Sequence, residues 1–530
     1  MPVSTQPFSK AKYRTSVFAA LLNARREHGG KTVAIIDGDE RKFTYDDLLK
    51  AVFAMGSAIA SRTAPGDRVG LMMPTGVGAV IGFYAISAFG RVPAMLNFTS
   101  GSRNLDAACR AGQVRTIVTA RRFIEVGKLE DLVAALQADG RKVLYLEDLK
   151  ARLTLKDKLT AVLGPIMPDL FRANPRALDT GVILFTSGTE GTPKGVVLTH
   201  ANVLANVAQV LDMIPLDPAA DVLFNPLPTF HCFGLTVGAV LPLQRGIKVV
   251  FHPTPLQPRE IAKRIASTGS TLLVATDTFI SQYARASDGQ DLRTLRLAIC
   301  GAERVRDETR ALLRTKCGIE ILEGYGVTEA APVIAANRPS SNRPGSVGPL
   351  LAGMEARLLP VEGIHDGGRL QVRGPNVMVG YLRAENPGAI ERPQDGWHDT
   401  GDIASIDEEG CIRIRGRIKR FAKIGGEMVS LAVVENCASA VWPDDNHAAA
   451  SLPDKRKGEM IVLLTTRENA RRTDLLGWAQ NHGVPELAVP RMIFHVEKIP
   501  VLGTGKLDYG ATQRMAIELL AHHEAAGMAV

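Results

Sequence analysis

Leu184-Phe-Thr-Ser-Gly-Thr-Glu-Gly-Thr-Pro-Lys-Gly-Val-Val-Leu-Thr-His200 is a polar, glycine-rich loop set between two apolar runs. Before it, Thr180-Gly-Val-Ile-Leu-Phe185 reads as a strand; after it, residues 196–198 read as a short second strand, and Thr199 opens a capped helix. Glycine lets a backbone approach a ligand closely, hydroxyls and free N–H groups wrap phosphate oxygens, and Lys194 adds a mobile positive charge. The stretch therefore has the chemistry of a phosphate cradle.

The nucleotide-hydrolase pattern G-x-x-x-x-G-K-[ST] fails here twice. Pro193 stands where a glycine precedes the lysine, and Gly195 stands where a magnesium-binding Ser or Thr follows it. An ordinary surface turn is the remaining alternative for the loop taken alone.

A chain of 530 residues exceeds one ordinary core, so two or more domains are expected. The hydrophobic fraction of 45% with 22% charged residues fits a soluble globular protein and excludes extended disorder. Six scattered cysteines form no C-x-x-C pair and no metal-ligand spacing with histidine, which suggests a reduced, cytoplasmic protein. The first 17 residues are polar and basic, without a signal-peptide core. Residues 69–90 lack charge and are long enough for a membrane span, but Pro74, five glycines and flanking Arg68 and Arg91 favour a buried β-α unit. The net charge of +8 favours anionic partners such as nucleotides, acidic proteins or anionic lipid, and no nucleic-acid partner is expected.

Along the chain, a helix over 16–28, a strand at 32–36 and a capping box at Thr44 and Asp47 lead into a helix ending near Ser61. Strands at 68–73, 92–96 and 116–120 alternate with helices, which predicts a largely parallel, doubly wound sheet. Residues 149–163 set leucines among Lys150, Arg152, Lys156 and Lys158. This segment reads as a helix packed on its own domain, with peripheral contact to a membrane surface, or guidance of an apolar substrate, as the alternative. A second α/β pattern runs from 221 to 323, with strands at 221–226, 247–251, 271–275, 295–300 and 320–323. Past Pro344, short β segments with Gly-rich turns predict a small twisted β subdomain. The charged Arg415-Gly-Arg-Ile-Lys-Arg420 marks a hinge-like element, and a boundary at Lys419 gives domains 1–418 and 419–530.

The central loop, Gly324-Tyr-Gly-Val-Thr-Glu329, Gly396-Trp-His-Asp-Thr-Gly-Asp402, Gly416-Arg-Ile-Lys419 and Gly503-Thr-Gly-Lys506 occur in the order and spacing of the adenylate-forming enzymes, which the chain resembles from about Val33 to Asp508. That family includes acyl-CoA synthetases, luciferases and peptide-synthetase adenylation domains. Glu323-Gly-Tyr-Gly-Val-Thr-Glu-Ala-Ala-Pro-Val333, 420–431 and 482–491 further resemble the acyl-acyl carrier protein synthetase half of bifunctional 2-acylglycerophosphoethanolamine acyltransferase. No acyltransferase half or membrane span is read within these 530 residues, so residence in the membrane is not an expectation carried over from the resemblance.

The resemblance implies an α/β fold: a large N-terminal domain with two doubly wound subdomains and a small β subdomain, then a small, mobile α+β domain. It implies ATP and Mg²⁺, with Thr186, Ser187, Gly188, Thr189 and Lys194 at the β- and γ-phosphates, Glu329 and Thr189 at the metal, and Thr328 at the α-phosphate. Glu323, Gly324, Tyr325 and Gly326, with Gly301, Ala302 and Glu303, would line the adenine and acyl side; Asp402 and Arg417 would hold the ribose. His231 would lie near the acyl carboxylate, and 276–283 line either the acyl tunnel or an ordinary helix contact. Lys506 would stabilise charge at the reacting centre, and a hinge at Lys419 would then present Gly425 and Gly426 to a pantetheine thiol. Taken singly, Tyr325 reads as core, Asp402 as a turn residue, Glu329 as a solvated charge, His231 as a satisfied structural histidine and Lys506 as a solvated tail lysine. The implied reaction activates a medium- or long-chain fatty acid and transfers it to acyl carrier protein, with CoA as the alternative acceptor and a non-catalytic nucleotide- or lipid-binding homologue as the alternative class. The expected location is the cytoplasm, with the inner face of the membrane as a peripheral variant. The chain departs from the family pattern at Arg420, where an acid is frequent, and at Leu507-Asp508-Tyr509, where a basic residue is usual.

Overall fold

The computed structural model describes residues 3–5, 8–187, 192–424, 427–454, 458–501 and 507–525. Contact density divides the chain into two compact units, Ser4–Glu355 with Arg373–His398, and Ala356–Val372 with Asp399–Val530 and Met1–Val3.

The larger unit is built on two eight-stranded sheets. The first runs Asn386–Glu391, Gly380–Arg383, Pro193–Thr199, Thr180–Ser187, Val92–Met95, Arg68–Leu71, Thr116–Thr119 and Lys142–Tyr145. It is parallel from Thr180–Ser187 to the far edge and antiparallel at the glycine-rich end. The second runs Val333–Ala336, Glu320–Gly326, Leu297–Cys300, Leu272–Ala275, Val222–Asn225, Lys248–Phe251, Val33–Ile36 and Lys42–Thr44. Its inner strands are parallel and its outermost pairs antiparallel. Leu272–Ala275 and Leu297–Cys300 are buried at every position, as expected of strands covered by helices on both faces.

Local chemistry sets several helix starts as expected. Ser16 caps Val17–His28, and the box of Thr44 and Asp47 opens Tyr45–Ala60 with both reciprocal bonds formed. Thr199 and Asn202 make the same reciprocal pair at the start of His200–Met213. The uncharged stretch after Arg68 is a buried strand followed by the helix Val77–Ala88. Among the described residues no helix is long and apolar enough to cross a membrane.

Long-range pairing departs from chain order. Val33–Ile36 precedes all strands of the first sheet yet lies in the second, with Val249 opposite Ile35. The 149–163 segment also differs from one continuous helix. It forms Leu146–Ala151 and Leu155–Leu163, the latter started by a Thr154–Asp157 capping box, and it turns its polar side inward.

In the smaller unit, one sheet includes Glu355–Val361, Ile364–Arg373, His398–Ile406 and Ile412–Arg417, the expected β subdomain. A second sheet orders Glu427–Ser430, Phe421–Ile424, Gly458–Thr465 and His447–Asp454, with Met492–His495 beside Gly458–Thr465. Alternate residues of its central strand face opposite cores. Ile461 and Leu463 pack in a cluster with Val434 and Leu475, whereas Met460, Val462 and Leu464 pack with Ala516 of the helix Tyr509–Ala525.

His200 links the first sheet to the N-terminal helix. Its Nδ1 accepts from Val17 N at 3.4 Å, and Gly181 lets it approach, because a Cβ there would lie 2.7 Å from His200 N. Burial pushes the imidazole down to about 4, with Asp179 opposing the shift. The folded chain thus keeps His200 neutral while the unfolded chain protonates it below its ordinary value, so stability is lost as pH falls from about 6.5 to about 4, by about 3 kcal/mol at most. Equilibrium unfolding of His200→Asn, which keeps an acceptor close to Nδ1, is expected to lose less stability than the native chain between pH 6.5 and 5.

Candidate active site

The strands on either side of the opening loop draw its ends together, with Thr186 opposite Lys194 and Ser187 opposite Pro193. Gly188 and Thr189 lie outside the described residues. Gly195 has a packing reason: a Cβ there would come within 3.2 Å of Leu382 and 3.3 Å of Ile183 and Phe185.

Gly380–Arg383 runs antiparallel to the second of these strands, with Tyr381 opposite Val196. Lys194 Nζ lies 5.3 Å from the centroid of the Tyr381 ring, within cation–π range. The Tyr381 hydroxyl donates to Glu329 Oε1 at 2.7 Å. Just upstream, Met378 N donates to the Glu329 carbonyl at 2.7 Å and Val379 N to the Val197 carbonyl at 2.9 Å. Residues 378–381 therefore fasten the Thr328-Glu329 turn to the strand Pro193–Thr199. Tyr381 was not among the residues singled out from sequence; its one local signal is Gly380, where a Cβ would meet the Glu391 carbonyl at 2.2 Å.

Three buried amides on one face of His200–Met213 hold the same elements from behind. Asn202 Nδ2 donates to the carbonyls of Pro375 and Val377 at 2.7 and 2.9 Å. Asn206 donates to the Val333 carbonyl at 2.8 Å and accepts from Val333 N at 3.1 Å. Gln209 Nε2 donates to the Ala352 carbonyl at 2.6 Å. The spacing of 202, 206 and 209 places all three on one stripe.

The segment Glu320–Gly326 carries the next group of candidates. Tyr325 and Gly324 are half-buried, and Gly326 admits no side chain, because a Cβ would reach the Pro332 carbonyl at 2.2 Å. Glu323 is different in kind. Its carboxylate is buried against Arg310 and accepts from Gly345 N at 3.2 Å, while desolvation raises its pKa against the pull of the arginine. The protein itself thus occupies that carboxylate.

Gly301, Ala302 and Glu303 turn tightly, with Ala302 at φ 71°. Glu303 Oε2 accepts from Thr278 N at 2.9 Å in the first turn of Asp277–Ala286, whose Phe279, Ile280 and Tyr283 are fully buried. A Cβ on Gly301 would lie 3.2 Å from the Phe233 ring, which brings in the His231 loop. There Asn225 donates to the Gly234 carbonyl at 3.0 Å and accepts from Leu227 N at 2.9 Å, and the π-helical turns of Phe233–Val240 follow. His231 is half-buried, its ring centroid 4.7 Å from that of Phe230.

The smaller unit holds the remaining candidates. Asp402 is buried opposite Arg417, whose Nε lies 3.2 Å from Asp402 Oδ1. Lys419 is exposed in the short turn Ile418–Arg420. Lys506, Gly425 and Gly426 lie outside the described residues. The two departures from the family pattern meet each other: the Arg420 guanidinium lies 3.7 Å from the Tyr509 ring centroid and donates to Glu435 Oε1 at 2.5 Å. Among the described residues no three or more His, Cys, Asp or Glu side chains converge on a metal-sized site.

This architecture is that of the adenylate-forming enzymes. ATP-bound MatB from Rhodopseudomonas palustris matches over 96% of this chain and 99% of its own, with TM-score 0.83 and 25% identity. The o-succinylbenzoate coenzyme A synthetase MenE from Bacillus subtilis, in complex with ATP and magnesium ion, shares the fold at TM-score 0.77 and 20% identity, covering 93% of this chain and 98% of its own. The AMP-binding enzyme family profile matches residues 22–382, and the chain belongs to that family. A long-chain-fatty-acid–CoA ligase of Salmonella typhimurium is 26% identical over 474 residues, covering 83% of this chain and 84% of its own. A feruloyl-CoA synthase of an Amycolatopsis species is 29% identical over 489 residues, covering 89% and 93%.

If Tyr381 orients Glu329, Tyr381→Phe keeps the ring over Lys194 and removes one hydrogen bond to a carboxylate. Acid-dependent ATP–pyrophosphate exchange is expected to fall about tenfold or more, in line with the ~1.5–3 kcal/mol of such bonds, with the melting temperature nearly unchanged.

Proposed function

We propose that this protein activates a medium- or long-chain fatty acid with ATP and passes the acyl group to the phosphopantetheine thiol of acyl carrier protein. The observation that carries the first step is the grouping of Lys194, Tyr381 and Glu329 across one sheet edge and one turn. A fatty acid carboxylate and ATP are both anions, so attack at the α-phosphorus, with loss of pyrophosphate, requires cationic and dipolar groups where charge develops. Lys194 and the N–H groups of the loop beside Thr186 and Ser187 hold the outer phosphates. Glu329 suits Mg²⁺, a hard cation that takes one or two carboxylates plus substrate oxygens, and its half-buried carboxylate keeps an oxygen beyond the one bonded to Tyr381. When bound, the ion neutralises phosphate charge.

Thr328 follows in the same turn and is proposed at the α-phosphate, Tyr325 under adenine, and Asp402 with Arg417 at the ribose, where an acceptor-only carboxylate suits two hydroxyls. Glu323 shapes the loop through Arg310 and Gly345. Gly301, Ala302, Glu303 and His231 border the acyl side, and Lys506 supplies charge at the reacting carboxylate. A hinge at Lys419, between domains 1–418 and 419–530, would exchange Lys506 for the Gly425-Gly426 segment before thiol attack.

Carrier protein is favoured by the closer motif resemblance. CoA is the second reading, supported by the names of the relatives above. Parallel assays with radiolabelled fatty acid, ATP and either holo-carrier protein or CoA decide between them; the expected result is a higher kcat/KM with carrier protein, and preference for CoA reverses the assignment. Lys506→Ala is expected to abolish acyl-adenylate formation while sparing thiolation of a supplied adenylate, measured as separate half-reactions. Equal loss of both would remove Lys506 from the adenylation step.

A further inference from the structure

The helix Leu155–Leu163 is turned inside out. Its inward face is polar or small: Asp157 accepts from Ser57 Oγ at 2.6 Å and from its own cap, Thr160 is buried, and Gly164 touches Phe53 so closely that a Cβ would lie 2.4 Å from the ring. These contacts fix the rotation of the helix on Tyr45–Ala60. The apolar stripe therefore faces out, with Leu155 75%, Leu159 51%, Val162 58%, Ile166 69% and Leu170 71% exposed. An amphipathic helix ordinarily buries this face.

Charge indicates what covers it. Between residues 150 and 172 the exposed charges are Lys150, Arg152, Lys156, Lys158 and Asp169; Asp169 is paired with Arg172 at 2.6 Å, and Asp157 is buried, so the unpaired exposed charges are all positive. Two copies of this chain meeting through the stripe would bring like charges together, whereas an anionic lipid surface complements them. We infer that residues 155–170 are a docking surface for an anionic bilayer, with the leucine stripe set at the headgroup–acyl boundary and the lysines at the headgroups. The inference is independent of which acid or thiol the enzyme uses.

Flotation of the full chain on a density gradient tests it. The native chain is expected to rise with vesicles of equimolar phosphatidylglycerol and phosphatidylcholine, and not with phosphatidylcholine alone. Leu159→Glu/Val162→Glu and Lys156→Glu/Lys158→Glu are each expected to lower the partition coefficient about tenfold or more. Both change exposed side chains, so vesicle-free ATP–pyrophosphate exchange should stay at the native level, which controls for folding. The inference is overturned if the native chain stays at the bottom with anionic vesicles, if either variant floats like the native chain, or if phosphatidylcholine alone suffices. It is also overturned if the native chain is a dimer that Leu159→Glu dissociates.

Discussion

The candidate site depends on a stripe of buried amides. Asn202, Asn206 and Gln209 project from the helix that begins where the strand Pro193–Thr199 ends, and they bond the backbone at 375–377, 333 and 352. Buried amides left without partners cost about 1–3 kcal/mol each, so these contacts define one arrangement rather than a family of near-equivalent packings. The segment at 375–377 leads directly to Tyr381, and Val333 closes the turn that carries Glu329. A helix with apolar residues at these positions would pack against the same segments without setting their register.

On that base, Tyr381 serves two neighbours with different parts of its side chain. Its ring faces the Lys194 ammonium and its hydroxyl meets the Glu329 carboxylate. A direct lysine–carboxylate pair would neutralise both groups before a ligand arrived. Here one tyrosine meets the cation with its ring and the acceptor with its hydroxyl, and among the described residues the two charged groups form no ion pair with each other. Under the proposed function, that separation suits a polyanion and its counter-ion.

Local signals were readable in the sequence because they act over a few residues. Thr44 with Asp47, Ser16 and Thr199 start helices where their side chains say they should, and the glycine-rich loop lies between the two strands expected of it. Which sheet a strand joins was not readable, as Val33–Ile36 shows, because its partner Lys248–Phe251 is far along the chain and any buried, β-branched strand would satisfy the same pattern. Glu323 stands in a motif associated with nucleotide, yet its carboxylate is bound to Arg310, a residue no local pattern connects to it. Tyr381 was missed for a related reason: its importance comes from neighbours at 194 and 329. An apolar helix face implied burial for 149–163, and only the polar contacts of Asp157 and Thr160 reveal the opposite orientation.

The crossing of Val33–Ile36 into the second sheet also bears on how the chain is made. During synthesis that strand emerges early, but the edge it must join appears roughly 200 residues later, an interval of about 10–40 s at 5–20 residues per second. For that time the strand has only its hairpin partner Lys42–Thr44 beside it, and the first sheet must close without it. The nascent chain thus carries a two-stranded hairpin with one open edge through much of translation, and chaperone dependence of expression should trace to that edge rather than to the glycine-rich loop.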